Sequence, residues 1–93
     1  MNIRLAQWED TETICYLLKQ MGYSQPLKVV QEQFQILSKD PNAITLVAVD
    51  DLKVYGVLSL YFIPQIALQG DFAKICYLCV DEKMRSKGVG HLL

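Results

Sequence analysis

Ninety-three residues with a formal net charge of −1, just over half of them hydrophobic (52%), specify one small domain. A chain of this size buries only about 60–65% of its unfolded surface, so every element must serve a single core. Nine basic residues stand against ten acidic ones, with no long basic run, which disfavours nucleic acid as a partner. Arg4 comes early and Gln7 through Asp10 interrupt any apolar run, so no secretory leader is expected. The longest greasy stretch, residues 54–68, contains Pro64 and Gln65 and falls short of the roughly 20 residues of a membrane span. Three cysteines, an odd number, point to free thiols in a reducing, cytoplasmic setting.

In chain order, residues 2–6 read as a short strand with Ile3 and Leu5 on one face. Trp8 follows as a packing residue. Asp10 or Thr11 caps a helix, and Glu12 suits its first turn. Ile14, Leu17, Leu18 and Met21 recur at helical spacing, and Gly22 is the expected left-handed terminator. Pro26 opens a second helix at its first position, with Leu27, Val30, Phe34 and Leu37 on its buried side. That helix ends by Ser38, because Asp40-Pro41 disfavours continuation.

Strands come next. Residues 43–49 are apolar at nearly every position, so both faces are expected to be covered. Residues 50–53 form a short turn, and residues 54–62 return antiparallel, with Gly56 marking a bulge or a close backbone approach. Residues 63–71 connect, too apolar for a simple solvated loop, to a strand over residues 72–80. Regular alternation puts Ile75, Tyr77 and Cys79 on one side of it, and Cys76, Leu78 and Val80 on the other. Cys76 and Cys79, three apart, therefore cannot share a metal without a bulge and read as core thiols; no metal is expected.

The apolar run ends at Val80, where charge takes over through Arg85-Ser-Lys-Gly-Val-Gly90 to an apolar Leu92-Leu93. This reads as strand, loop and helix start. Glycines at that turn let a ligand approach the backbone, and the free N–H groups of a first helical turn attract phosphate. Arg85 and Lys87, with Lys83, add positive charge, so the local chemistry indicates a pyrophosphate. The P-loop spacing is absent, and the glycines lie too far past the strand for a dinucleotide fingerprint.

Leu78 through Gly90 resembles the acetyl-CoA-binding motif of the GNAT superfamily of N-acetyltransferases, with Arg85, Gly88 and Gly90 at its defining positions. The order strand, helix, helix, three strands, helix is also that of the first two-thirds of the GNAT fold. The resemblance implies an α+β domain, a mixed and mainly antiparallel sheet flanked by helices. It further implies that residues 1–93 are a truncated domain whose C-terminal part is missing. On that resemblance, backbone groups of Leu78, Cys79 and Val80 hold the pantetheine arm of acetyl-CoA. Arg85, Ser86, Lys87, Gly88, Val89 and Gly90 hold its phosphates. An acetyl group would pass to a primary amine, on a small molecule or a protein, by direct attack.

No catalytic residue emerges. Where some relatives carry a Glu, the strand offers Lys74, Cys76 and Tyr77; Asp71 and Glu82 flank it, and Glu82 should face solvent. His91, the only histidine, falls in the motif helix, and Tyr55, Tyr61 and Tyr77 read as core aromatics. A leaving-group tyrosine, which the resemblance sets beyond residue 93, would be absent. The alternatives are a non-catalytic acyl-CoA-binding or dimerisation half-domain, and a plain α+β interaction module. An apolar edge strand at residues 72–80 makes a homo-oligomer the expected state.

Overall fold

The computed structural model describes residues 2–67 and 69–83. Strand β1 (Asn2–Leu5) leads through a 3₁₀ turn (Trp8–Asp10) into helix α1 (Thr11–Gln20) and helix α2 (Leu27–Ser38). Strands β2 (Ala43–Asp50), β3 (Lys53–Pro64) and β4 (Asp71–Val80) follow. The described strands form one antiparallel sheet in the order β1-β2-β3-β4, with both helices on one face. The strands and helices expected over residues 2–80 are all present, displaced by at most two residues, and the helix start expected at Gly88–Gly90 lies outside the described residues.

The core lies between α1 and that sheet face. Ile14 and Leu17 of α1 pack on Val47, Val57 and Cys79, all nearly or fully buried. Leu17 is 1% exposed, and burying a leucine completely is worth about 1.5–3 kcal/mol. Met21, by contrast, lies just past the helix and is half-exposed. On the other face Ala48 is fully buried under Tyr55 and Val80, so β2 is covered on both sides there. Helix α2 has the expected stripe, yet none of its residues is buried; Leu27, Val30, Phe34 and Leu37 are half-buried. Thr11 ties it to α1, accepting a hydrogen bond from Gln31 at 3.1 Å and donating to the Trp8 carbonyl at 2.8 Å. Trp8 packs edge-on against Phe34 with ring centroids 6.4 Å apart.

Asp10 is the terminal residue before α1, but its carboxylate caps the 3₁₀ turn instead of the helix. It accepts from the Gln7 N–H at 2.7 Å and from both Arg4 nitrogens at 2.7 and 2.9 Å. A buried carboxylate needs those donors, and the pair fastens β1 to the helix layer. The Arg4 hydrogen bonds, opposed by burial, hold the Asp10 carboxyl below its ordinary range. Pro26 likewise stands one position earlier than expected, as the extended N-cap of α2.

Two bulges shape the sheet. Ala48 pairs with Gly56 and Val49 with Val54, so Tyr55 is the extra residue beside the glycine that signalled it. In β4, Ser59 pairs with Tyr77 but Leu60 with Ile75, which leaves Cys76 as the extra residue. That corrects the regular alternation expected for β4. Partners in a ladder share a face, so Tyr77 and Cys79 face the helices while Ile75 joins Leu78 and Val80 on the opposite side. Cys76 is exposed, not a core thiol. The connection is also shorter and more open than expected. β3 and β4 pair out to Pro64 and Asp71, and Ile66 is fully exposed.

The β2–β3 turn supplies a first test. Asp51 and Leu52 both have positive φ (48° and 68°), the two-residue hairpin geometry that favours glycine, and Leu52 is 97% exposed. Leu52→Gly should therefore stabilise the fold by about 0.5–1 kcal/mol, raising the melting temperature by roughly 3–6 °C in calorimetry. A lower melting temperature would show that Leu52 is held by more than its backbone. A second test uses pH. Because Asp10 has a depressed folded pKa, its contribution is complete above the unfolded carboxylate value of about 4 and fades as pH falls through the folded value. Asp10→Asn should cost about 1–2 kcal/mol at neutral pH and less in acid. Urea titrations at pH 7 and pH 2.5 measure the difference, and an equal loss at both would exclude the ionic contribution.

Candidate functional site

The half-buried position of α2 leaves a cavity of about 480 Å³ between α1, α2 and the sheet. Its apolar walls come from Ile14 and Leu18 on α1, and from Val30, Phe34 and Leu37 on α2. The sheet contributes Thr45, Val57, Ser59 and Tyr77. Tyr23, Ser24 and Gln25, from the segment joining the helices, form its rim. Among the described residues no charged side chain and no histidine lines it.

Two local devices set this geometry. The Cys76 bulge takes Ile75 off the helix side and leaves Tyr77 there, where Tyr23 meets it edge-to-face at 5.1 Å and 84°. Tyr23 is delivered by the end of α1. Gly22 has φ +92°; its N–H bonds the Lys19 carbonyl at 3.1 Å, and the Tyr23 N–H bonds the Leu18 carbonyl at 2.9 Å. This pair of reversed hydrogen bonds is a Schellman turn, which requires the left-handed residue that glycine provides. Tyr77 is thus a half-exposed wall residue, not the core aromatic expected from a strand. Tyr61 also departs from that expectation: its hydroxyl donates to Asp40 at 2.8 Å, which raises its pKa.

The C-terminal end of β4 carries the cofactor residues anticipated from sequence. Cys79 is buried in the core, Leu78 is exposed, and Val80 is half-buried opposite Gly56. The Asp81 N–H bonds back to the Tyr55 carbonyl at 2.8 Å. By ladder alternation Cys79 then faces β3 with its amide, whereas Leu78 turns its N–H and C=O outward. No other described strand occupies that edge. An outward amide on an unshared edge fits the amide-bearing arm of acyl-CoA. Arg85, Ser86, Lys87, Gly88, Val89, Gly90 and His91 lie outside the described residues.

Sequence reasoning missed a latch at this point. Gln20, on the last turn of α1, accepts the Glu82 N–H at 3.1 Å and donates to Asp81 at 3.4 Å. The Lys83 N–H in turn bonds Asp81 at 2.9 Å, which fixes the chain where it leaves β4. A glutamine 62 residues away along the chain carries no sequence signal for this contact. Among the candidate bases, Asp71 and Glu82 are exposed, as expected for Glu82, and neither lines the cavity. Lys74 pairs with Tyr61 and is also exposed. Among the described residues no three metal-binding side chains gather, and no helix is long and apolar enough to cross a membrane.

Residues 4–93 match the profile of the acetyltransferase (GNAT) family. The chain belongs to that family. Its fold is shared by a GNAT family acetyltransferase from Staphylococcus aureus (TM-score 0.88, 17% identity), matched over 98% of this chain and 70% of that one. A transcriptional regulator from Bacillus halodurans matches with TM-score 0.84 and 24% identity, over 98% of this chain and 67% of its own. An aminoglycoside 6′-N-acetyltransferase from Acinetobacter haemolyticus matches with TM-score 0.80 and 17% identity, over 99% and 65%. The chain thus spans about two thirds of the length of these relatives. No curated protein sequence matches significantly. Within this GNAT fold the cavity and the end of β4 are the two halves of the candidate site.

The Schellman turn carries the next prediction. A Cβ at Gly22 would meet nothing within 4 Å, so Gly22→Ala should cost only the left-handed penalty, about 1–2 kcal/mol. The Tyr77 ring resonances should shift as Tyr23 moves away. Unchanged stability and an unmoved Tyr77 spectrum would show that the turn does not depend on glycine.

Proposed function

We propose that this chain carries the acyl-CoA-binding and acceptor-facing part of an acetyl-CoA-dependent N-acetyltransferase that modifies a primary amine. The observation that carries this reading is that both halves of the site lie on one strand. Tyr77 lines the cavity, and three residues later β4 ends at Val80, leading toward the Arg85–Gly90 segment. Family membership supports the acyl-transfer chemistry, and the outward amide of Leu78 supports the cofactor edge.

Acetyl-CoA, when bound, supplies an acyl carbon that the amine attacks, so that a carbon–nitrogen bond replaces the carbon–sulfur bond and a proton passes from nitrogen to sulfur. Leu78, Cys79 and Val80 would hold the arm through their backbone, and the Arg85–Gly90 segment its phosphates. Gln20 would position that segment through Asp81 and Glu82, since both bonds anchor the chain ahead of Arg85. The cavity walls would exclude water from the amine and orient it toward β4.

A second reading, an acyl-CoA-binding module without turnover, draws on one observation. No carboxylate or histidine among the described residues lines the cavity, so no general base is in view there.

Calorimetric titration with CoA and a thiol-release assay separate the possibilities. CoA should bind, and Gly88→Val should abolish binding while leaving the circular dichroism spectrum unchanged. Arg85→Ala should weaken it by a smaller, salt-sensitive amount. Gln20→Ala should weaken it about threefold to tenfold, with Gln20→Glu failing to restore it because a carboxylate cannot donate to Asp81. Equal CoA binding by the native chain and Gly88→Val would overturn the assignment. Binding without thiol release for any amine would favour the second reading.

A further inference from the structure

We propose that the cavity selects a primary amine carried on a neutral aromatic body, and discriminates against polyamines and free amino acids. This rests on the acetyltransferase reading for the fate of the amine, but not for its binding.

The size is suitable: about 480 Å³ lies within the roughly 300–1,000 Å³ of small-molecule sites. The charge pattern decides between amine classes. A polyamine entering the cavity would surrender hydration at several ammonium groups with no lining carboxylate to replace it. A free amino acid would bring a carboxylate into a site where no described lining residue is Arg, Lys or His. A single ammonium on an apolar body meets neither penalty in full.

The positive side of the argument is where the polar and aromatic groups stand. Ser59 and Tyr77 are partners across β3 and β4, and Thr45 is the partner of Ser59 across β2 and β3. They make a polar strip on a sheet wall that is otherwise apolar at Val57. Among the described residues the Ser59 and Thr45 hydroxyls have no hydrogen-bonded partner, so they are available to accept from an ammonium group. The Tyr23–Tyr77 pair and Phe34 present aromatic edges and faces around that strip. Aromatic faces attract a single cation, and an added ring can extend the edge-to-face arrangement. The ammonium end therefore belongs at the sheet, beside the β4 bulge, with the ring toward α2 and the rim residues Tyr23 to Gln25.

The chain contains its own reporter. Trp8 is its only tryptophan and touches Phe34, a wall residue. Titration of the full chain with 2-phenylethylamine should change Trp8 fluorescence saturably, with a Kd below about 1 mM. Spermidine, free alanine and 2-phenylethanol should each bind at least about tenfold more weakly, the last because it lacks the ammonium group. Tyr77→Ala should weaken phenylethylamine binding. Gln33→Glu, at an exposed α2 position that lines the cavity, should raise spermidine affinity about tenfold by supplying the missing carboxylate. Tighter binding of spermidine or alanine than of phenylethylamine would overturn the inference, and so would equal binding of 2-phenylethanol. CoA binding without any phenylethylamine response overturns it while leaving the acetyltransferase reading intact. A phenylethylamine response in a chain that does not bind CoA supports the amine site and overturns that reading.

Discussion

One extra residue in β4 decides which side chain stands before Tyr77 on the helix side of the sheet. A regular strand would align Ile75 with Tyr77 and Cys79 on the helix side. The bulge at Cys76 reverses the alternation on its N-terminal side, so Phe72 and Lys74 share the helix side with Tyr77, and Ile75 leaves it. Bulges bend a strand and re-aim its side chains, and they recur beside active sites. Here the re-aimed positions are those ahead of the bulge, and they end just short of the residue that lines the cavity. Tyr77 faces the cavity and Cys79 the core because the segment after the bulge keeps its own two-residue period.

The cavity itself follows from unequal burial of two helices. α1 drives Ile14 and Leu17 into the sheet and closes its own end of the core. α2 has the same apolar periodicity but is tied to α1 by the Gln31–Thr11 hydrogen bond and to the 3₁₀ turn by the Trp8–Phe34 contact, with no buried residue of its own. Elements with few buried contacts open at low free-energy cost. Both helices line the cavity, and the less anchored one forms a whole wall of it, which is the arrangement a small-molecule entrance needs.

What was legible in the sequence was local. Helical stripes, the Gly22 stop, the 50–53 turn and the bulge beside Gly56 each involve residues within a few positions of one another, and the structure has all of them. The Cys76 bulge was not legible. Residues 75–80 are apolar on either alternation, so no polar residue marks where the period slips. Asp10 looked like a helix cap because its partner, Arg4, lies on a strand and announces nothing by spacing. The stand-off of α2 was hidden for a related reason: periodicity shows which side faces inward, but not how deeply it is buried.

The last turn of α1 is where the two halves of the site are brought into fixed relation. Gln20 holds the exit of β4 through Asp81 and Glu82, and two residues later Gly22 reverses the chain to set Tyr23 on Tyr77. Both contacts reach β4 or the chain just past it, one at Tyr77 and the other at residues 81–82. β4 is therefore clamped at two points by a single helix end, and that helix is the better buried of the two described. Lengthening or shortening α1 by one residue would rotate its end by about 100° and could satisfy at most one of the two contacts. The stop at Gly22 thus sets the relation between the cavity and the exit of β4 as much as it ends a helix.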